Sequence, residues 1–126
     1  MAALAGDAVR AGALGFSTSR TLNHRTSTGD FTPTLKAGED ELTAIAGAMH
    51  GVGRSVLQFV LDLSTLDEDL PMMLRVAENT RCPISFSITQ NDKAPQRWRQ
   101  TLDTIDEATA PAACRSRRRS PRARSG

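Results

Sequence analysis

A chain of 126 residues, 39% hydrophobic and 4% aromatic, is sized for one domain whose core must be built from Leu, Ile, Val, Met and Ala. No apolar run approaches the roughly 18 residues of a membrane span, and MAALAGDAVRAGAL carries Asp7 where a secretory apolar region would lie. The formal charge of +2 comes from the last residues: six of the sixteen basic residues are arginines between 115 and 124, leaving ten against fourteen acidic residues and a net charge of −4 elsewhere. The body is therefore mildly acidic, which argues against nucleic acid as its partner.

Residues 2–11 favour a helix in which Leu4, Ala8 and Ala11 share a face, stopped by Gly12. ALGFST, residues 13–18, reads as a short parallel strand covered on both sides. It opens into a long polar loop, residues 19–37, that holds Arg20, Asn23, His24 and Arg25. Such loops often carry function. Glu39 to Val52 forms a second helix with Leu42, Ile45, Ala46 and Met49 as its apolar stripe.

SVLQFVLDL, residues 55–63, is a second strand. Ser64 or Thr65 caps a third helix with Pro71 in its first turn and Leu70, Met73, Leu74 and Ala77 on its buried face. CPISFSIT, residues 82–89, is a third strand. Asn91 or Asp92 caps a fourth helix that aligns Trp98, Leu102 and Ile105. Helix, strand, loop, helix, strand, helix, strand, helix is the order of crossover units, hence an α/β fold with parallel strands.

Two regions are expected: an ordered segment over residues 1–110 and a disordered Arg/Ser/Pro-rich tail over 111–126. The tail reads either as a nucleic-acid-binding arginine-rich arm or as the out-of-frame end of a G+C-rich gene. The abrupt change after DTIDEATA favours the second. An alternative to any enzymatic reading is a small non-catalytic α/β module presenting this basic tail to nucleic acid. Cys82 and Cys114 stand far apart in unlike contexts, so they read as free thiols of a cytoplasmic protein.

GALGFSTSRTLNHRTSTGDFTPTLKAGEDELTAIAGAM, with VLQFVLDL and ISFSITQ after it, resembles the amidohydrolase superfamily. The likeness is to amidohydrolase family 3, which includes N-acyl-D-amino-acid deacylases, and it covers roughly residues 5–110 as a partial chain. The resemblance implies about three strands of a (β/α)₈ TIM barrel. It implies a hydrolase acting on carbon–nitrogen bonds other than peptide bonds, with a small-molecule amide as substrate. A divalent metal, commonly zinc, would activate the attacking water.

On that resemblance Ser17, Ser19, Arg20, Asn23 and Asp62 are candidate substrate-binding residues. Arg20 would pair with a carboxylate, and His24 is the candidate catalytic residue. The family's metal-binding histidines would be sought on the two later strands, where Phe59 and Phe86 stand. Phenylalanine cannot bind zinc, and His24 and His50, with the two cysteines, lack ligand-like spacing. The expectation is therefore no metal in this chain and no turnover by it alone, with zinc belonging to the intact parent. His50 reads as a solvated helix-end residue. Ser17 is no serine nucleophile, because Ser19 replaces the second glycine of the Gly-x-Ser-x-Gly elbow.

Overall fold

A computed structural model describes residues 1–21, 25–31, 38–61, 64–88 and 92–110. Seven elements follow in chain order: α1 (Ala2–Arg10), β1 (Gly15–Ser19), α2 (Glu39–Val52), β2 (Val56–Val60), α3 (Leu66–Thr80), β3 (Ile84–Ser87) and α4 (Arg97–Thr109). The three strands form one parallel sheet in the order β1-β2-β3. Parallel pairing of consecutive strands requires crossover connections, which α2 and α3 supply, and these two helices pack on each other. The described residues fall into two compact units, divided after Ile88. Among the described residues no helix is long and apolar enough to cross a membrane.

Gly12 terminates α1 as its sequence position predicts. It adopts φ +108, its N–H bonds to Val9 O, and Ala13 N–H reaches back to Ala8 O. These two bonds make a Schellman cap, and only glycine adopts that conformation without strain. The buried face of α1 is not the expected one. Leu4 is 65% exposed and Ala8 is exposed, while Ala5 and Gly6 are buried. The small residues win because α1 packs closely on α2: a Cβ added at Gly6 would already touch Ala48 O at 3.5 Å. Leu4 would hold the two backbones apart.

In α2 the stripe Leu42, Ile45, Ala46 and Met49 is buried as its spacing predicts. α2 packs between α1 and α3. In α3 Thr65 is the N-cap residue, but its hydroxyl donates to Asp69 Oδ2 at 2.7 Å rather than to a helix N–H. Starting at Leu66 puts Pro71 in the second turn, not the first, on an exposed face. The buried stripe is Leu66, Asp69, Leu70, Met72, Met73 and Val76, turned relative to the predicted face so that Leu74 and Ala77 are half-buried.

The sheet pairs Phe16–Leu57–Ile84, Ser17–Gln58–Ser85 and Thr18–Phe59–Phe86 across its strands. Side chains alternate between faces along each strand. Thr18, Leu57 and Phe59 are buried, whereas Gly15, Ser17, Val56, Ser85 and Ser87 are exposed. The expectation of a strand covered on both sides is thus corrected: among the described residues of the first unit, the helices cover one face only. At the start of β1 the backbones pass so closely that a Cβ on Gly15 would collide with the Val56 main chain.

The same alternation places the two phenylalanines that stand where the family's histidines would be sought. Phe59 and Phe86 belong to the helix-covered face, with Phe59 fully buried beneath it. The residues facing the other way on those strands are Gln58 and Val60, and Ser85 and Ser87.

Glu39 joins α2 to α3 through a two-pronged ion pair, Arg75 Nε and Nη2 donating to the carboxylate at 2.7–3.1 Å. The hydrogen bonds from Arg75 hold the Glu39 carboxyl below its ordinary value of 4.5, against an opposing effect of burial. A depressed carboxyl stabilises the fold above its unfolded pKa, and that gain is lost as pH falls through the folded one. Glu39→Gln is therefore expected to lower Tm slightly at neutral pH, and the difference from wild type is expected to vanish in acid. Melting both proteins from pH 7 to pH 3 checks it; a difference that persists in acid would show that the pair does not contribute through its charge.

Within the second unit, α4 starts after the Gln96 cap rather than at Asn91 or Asp92. Asn91 lies outside the described residues, and the turns at 92–96 precede the helix. Thr101, Thr104 and Thr109 each donate their hydroxyl to the carbonyl four residues back. Trp98 and Ile105 are half-buried, but Leu102 is 40% exposed, so the expected alignment of three apolar residues is only partly kept. The tail, 111–126, lies outside the described residues.

Candidate functional site

The uncovered face of the sheet carries a polar row at one level. Ser17 of β1 pairs in register with Gln58 of β2, and Gln58 with Ser85 of β3. Ser17 Oγ donates to Gln58 Oε1 at 2.6 Å. Leu14, Gly15, Phe16 and Val56 complete an open depression of about 260 Å³ around the row. That is below the roughly 300–1,000 Å³ of sites that enclose a small ligand. The row offers neutral hydroxyls and an amide: groups that can donate and accept hydrogen bonds but cannot themselves transfer a proton readily near neutrality.

Ser17 is the third residue of its five-residue strand, so it lies on the sheet rather than at its rim. Ser19 ends β1, half-buried, on the same alternation as Ser17. Thr18 between them faces the helices, where its hydroxyl is buried without a hydrogen-bond partner among the described residues. Asn23, His24 and Asp62 lie outside the described residues. His50 is exposed in the last turn of α2, the solvated helix-end position expected of it.

Arg20 continues the sheet by one bond, its N–H donating to Val60 O at 2.9 Å. Its Nε donates to Asp69 Oδ1 at 2.6 Å, and the Asp69 side chain is only 6% exposed. Thr65 Oγ1 takes up the second oxygen of that carboxylate. One buried acid thus ties the start of the loop after β1 to the first turn of α3. Asp69 and Thr65 were not legible as site residues. The signal available was a lone acid on the apolar face of a helix, four residues after a capping threonine.

Further along the loop, Arg25 and Phe31 form an antiparallel bridge at the neck of a tight hairpin. Thr26 N–H donates to Asp30 O, Gly29 N–H to Thr26 O, Asp30 N–H to Thr26 Oγ1, and Thr28 Oγ1 to Asp30 Oδ2. Gly29 turns the chain at φ +87. The Arg25 guanidinium lies 3.7 Å from the centre of the Phe31 ring.

Among the described residues no three His, Cys, Asp or Glu side chains gather as a metal-holding group. The neutral Ser17–Gln58–Ser85 row likewise lacks the imidazole, thiolate or carboxylate donors that zinc takes. The described residues therefore do not fit such an ion.

A family model described as "Amidohydrolase family" matches residues 1–118. No curated protein and no solved structure matches the chain at a significant level.

Proposed function

Since the chain belongs to amidohydrolase family 3, we propose that it is the substrate-side part of a (β/α)₈ hydrolase acting on non-peptide carbon–nitrogen bonds, such as those of N-acyl-D-amino acids. The observation that carries this reading is the sheet itself. Three consecutive parallel strands in sequential order, with helices on one face and Ser17, Gln58, Ser85 and Ser87 among the side chains on the other, fit an arc of such a barrel.

In this reading Ser17, with Gln58, offers hydrogen bonds from the inner face to an amide substrate. Ser19 ends β1 beside them, and Asn23 and Asp62 are proposed as further substrate-binding residues. Arg20 shapes that end of β1 through Asp69. His24 is proposed as an acid–base group of the loop. The divalent metal of the family finds no fitting donors among the described residues, so no step through it is assigned here, and turnover by this chain alone is not expected. Nothing observed favours a nucleic-acid-binding module instead.

Titrating the isotope-labelled full chain with N-acetyl-D-alanine tests the proposal. Weak binding, with a Kd on the order of 1 mM, should shift the amide signals of Ser17 and Gln58. In parallel, no amine should be released with or without added zinc. Unmoved Ser17 and Gln58 signals would remove the substrate-side reading, and metal-dependent turnover would overturn the assignment of inactivity.

A further inference from the structure

The two arginines of the loop are built for different tasks. Arg20 gives its Nε to a buried carboxylate. Arg25 is exposed, and among the described residues no carboxylate pairs with it; its single hydrogen bond, from Nη1 to Gly29 O, is long at 3.5 Å. The one acid in its hairpin, Asp30, accepts from the Thr28 hydroxyl. What holds Arg25 instead is an aromatic ring, 3.7 Å below the guanidinium. Phe31 is itself 48% exposed, so the pair stands in water as a stacked unit.

From this we propose that Arg25, seated on Phe31, is the residue of this loop that recognises a carboxylate, rather than Arg20. The inference rests on the amide-hydrolase reading above and adds to it the specificity-determining side chain for the charged end of the substrate. The guanidinium face is occupied by the ring, so its remaining N–H donors lie along its edge. Two parallel N–H groups on one edge match the two oxygens of a planar carboxylate. Stacking holds the plane of the fork before the ligand arrives, which lowers the ordering cost of binding. The hairpin bonds from Thr26, Thr28 and Asp30 keep ring and guanidinium at the same neck.

The test compares two probes that differ only in the charge of one end: N-acetyl-D-alanine and its neutral primary amide. Wild-type chain is expected to bind the acid about tenfold more tightly than the amide, the size of one charge-assisted contact. Arg25→Gln should abolish that preference and leave the affinity for the amide unchanged. Arg25→Lys should keep only part of it, because a point charge lacks the fork. Phe31→Leu should reduce the preference without changing the charge. Both residues are exposed, so circular dichroism should show each variant folded as wild type. An acid preference surviving in Arg25→Gln overturns the inference alone and leaves the amide-hydrolase reading standing. Failure of wild-type chain to bind either probe overturns both.

Discussion

Phe59→Ala is expected to cost about 3–5 kcal/mol of unfolding free energy, while Gln58→Ala, one residue away, should cost about 1 kcal/mol or less. Phe59 is fully buried on the helix-covered face and is the largest fully buried side chain among the described residues. Its truncation removes the apolar area from the core and leaves a cavity that rigid neighbours fill only in part. Gln58 is half-buried on the opposite face, and its described hydrogen bond is from Ser17. Urea unfolding of the two variants, followed by far-ultraviolet circular dichroism, measures both costs. The comparison also reads the facing of β2, since a one-residue slip would exchange the two side chains between faces. Equal costs, or a larger cost at Gln58, would refute the assignment of faces. With whole-domain stabilities of roughly 5–15 kcal/mol, the loss at Phe59 would bring the unfolded state into view.

Removing the Asp69 carboxylate is the second large effect. Asp69→Ala should destabilise by about 2–4 kcal/mol, because it leaves the Arg20 guanidinium and the Thr65 hydroxyl without the acid that both contact. The figure is kept at or below that for a fully buried pair because the Arg20 side chain retains 19% of its exposure. A double-mutant cycle with Arg20→Ala separates the pair from its surroundings. The expected coupling is above about 1 kcal/mol, against about 0.2–1 kcal/mol for exposed pairs. Additive losses would show that the contact between Arg20 and Asp69 carries no energy of its own. Arg20 and Asp69 lie 49 residues apart in the chain, and their contact ties the carboxyl end of β1 to the first turn of α3.

Local periodicity made α2 legible down to its buried stripe, because four apolar residues at i, i+3, i+4 and i+7 leave one way to fold. The same reasoning misplaced the face of α1. There Gly6 and Ala5 are inside for lack of bulk, and hydrophobicity pointed to Leu4 instead. The strands were found in place but too long, and no facing could be assigned to β2 or β3 from their residues. Leu57, Phe59 and Val60 are all apolar, so the alternation is carried by Gln58 alone.

The polar loop was singled out by composition, and the stretch from Arg25 to Phe31 does form a defined hairpin. The partner of Arg20 was not legible, since an ion pair across so long a separation exists only once the helices have docked. Asn23, His24 and Asp62, nominated from the family resemblance, fall outside the described residues.

The one-sided cover of the sheet has a consequence for how such a protein can change over evolutionary time. Selection for stability acts on Thr18, Leu57 and Phe59, which the helices bury. Ser17, Ser85 and Ser87, on the opposite face, are exposed and are not part of the buried core. Substitutions there cost little in stability, so donors of quite different chemistry can be exchanged on one face while the other keeps the fold intact. Side chains on the uncovered face can therefore be exchanged one at a time, each change tolerated on its own. The uncovered face is accordingly the place to graft a new reaction onto this scaffold.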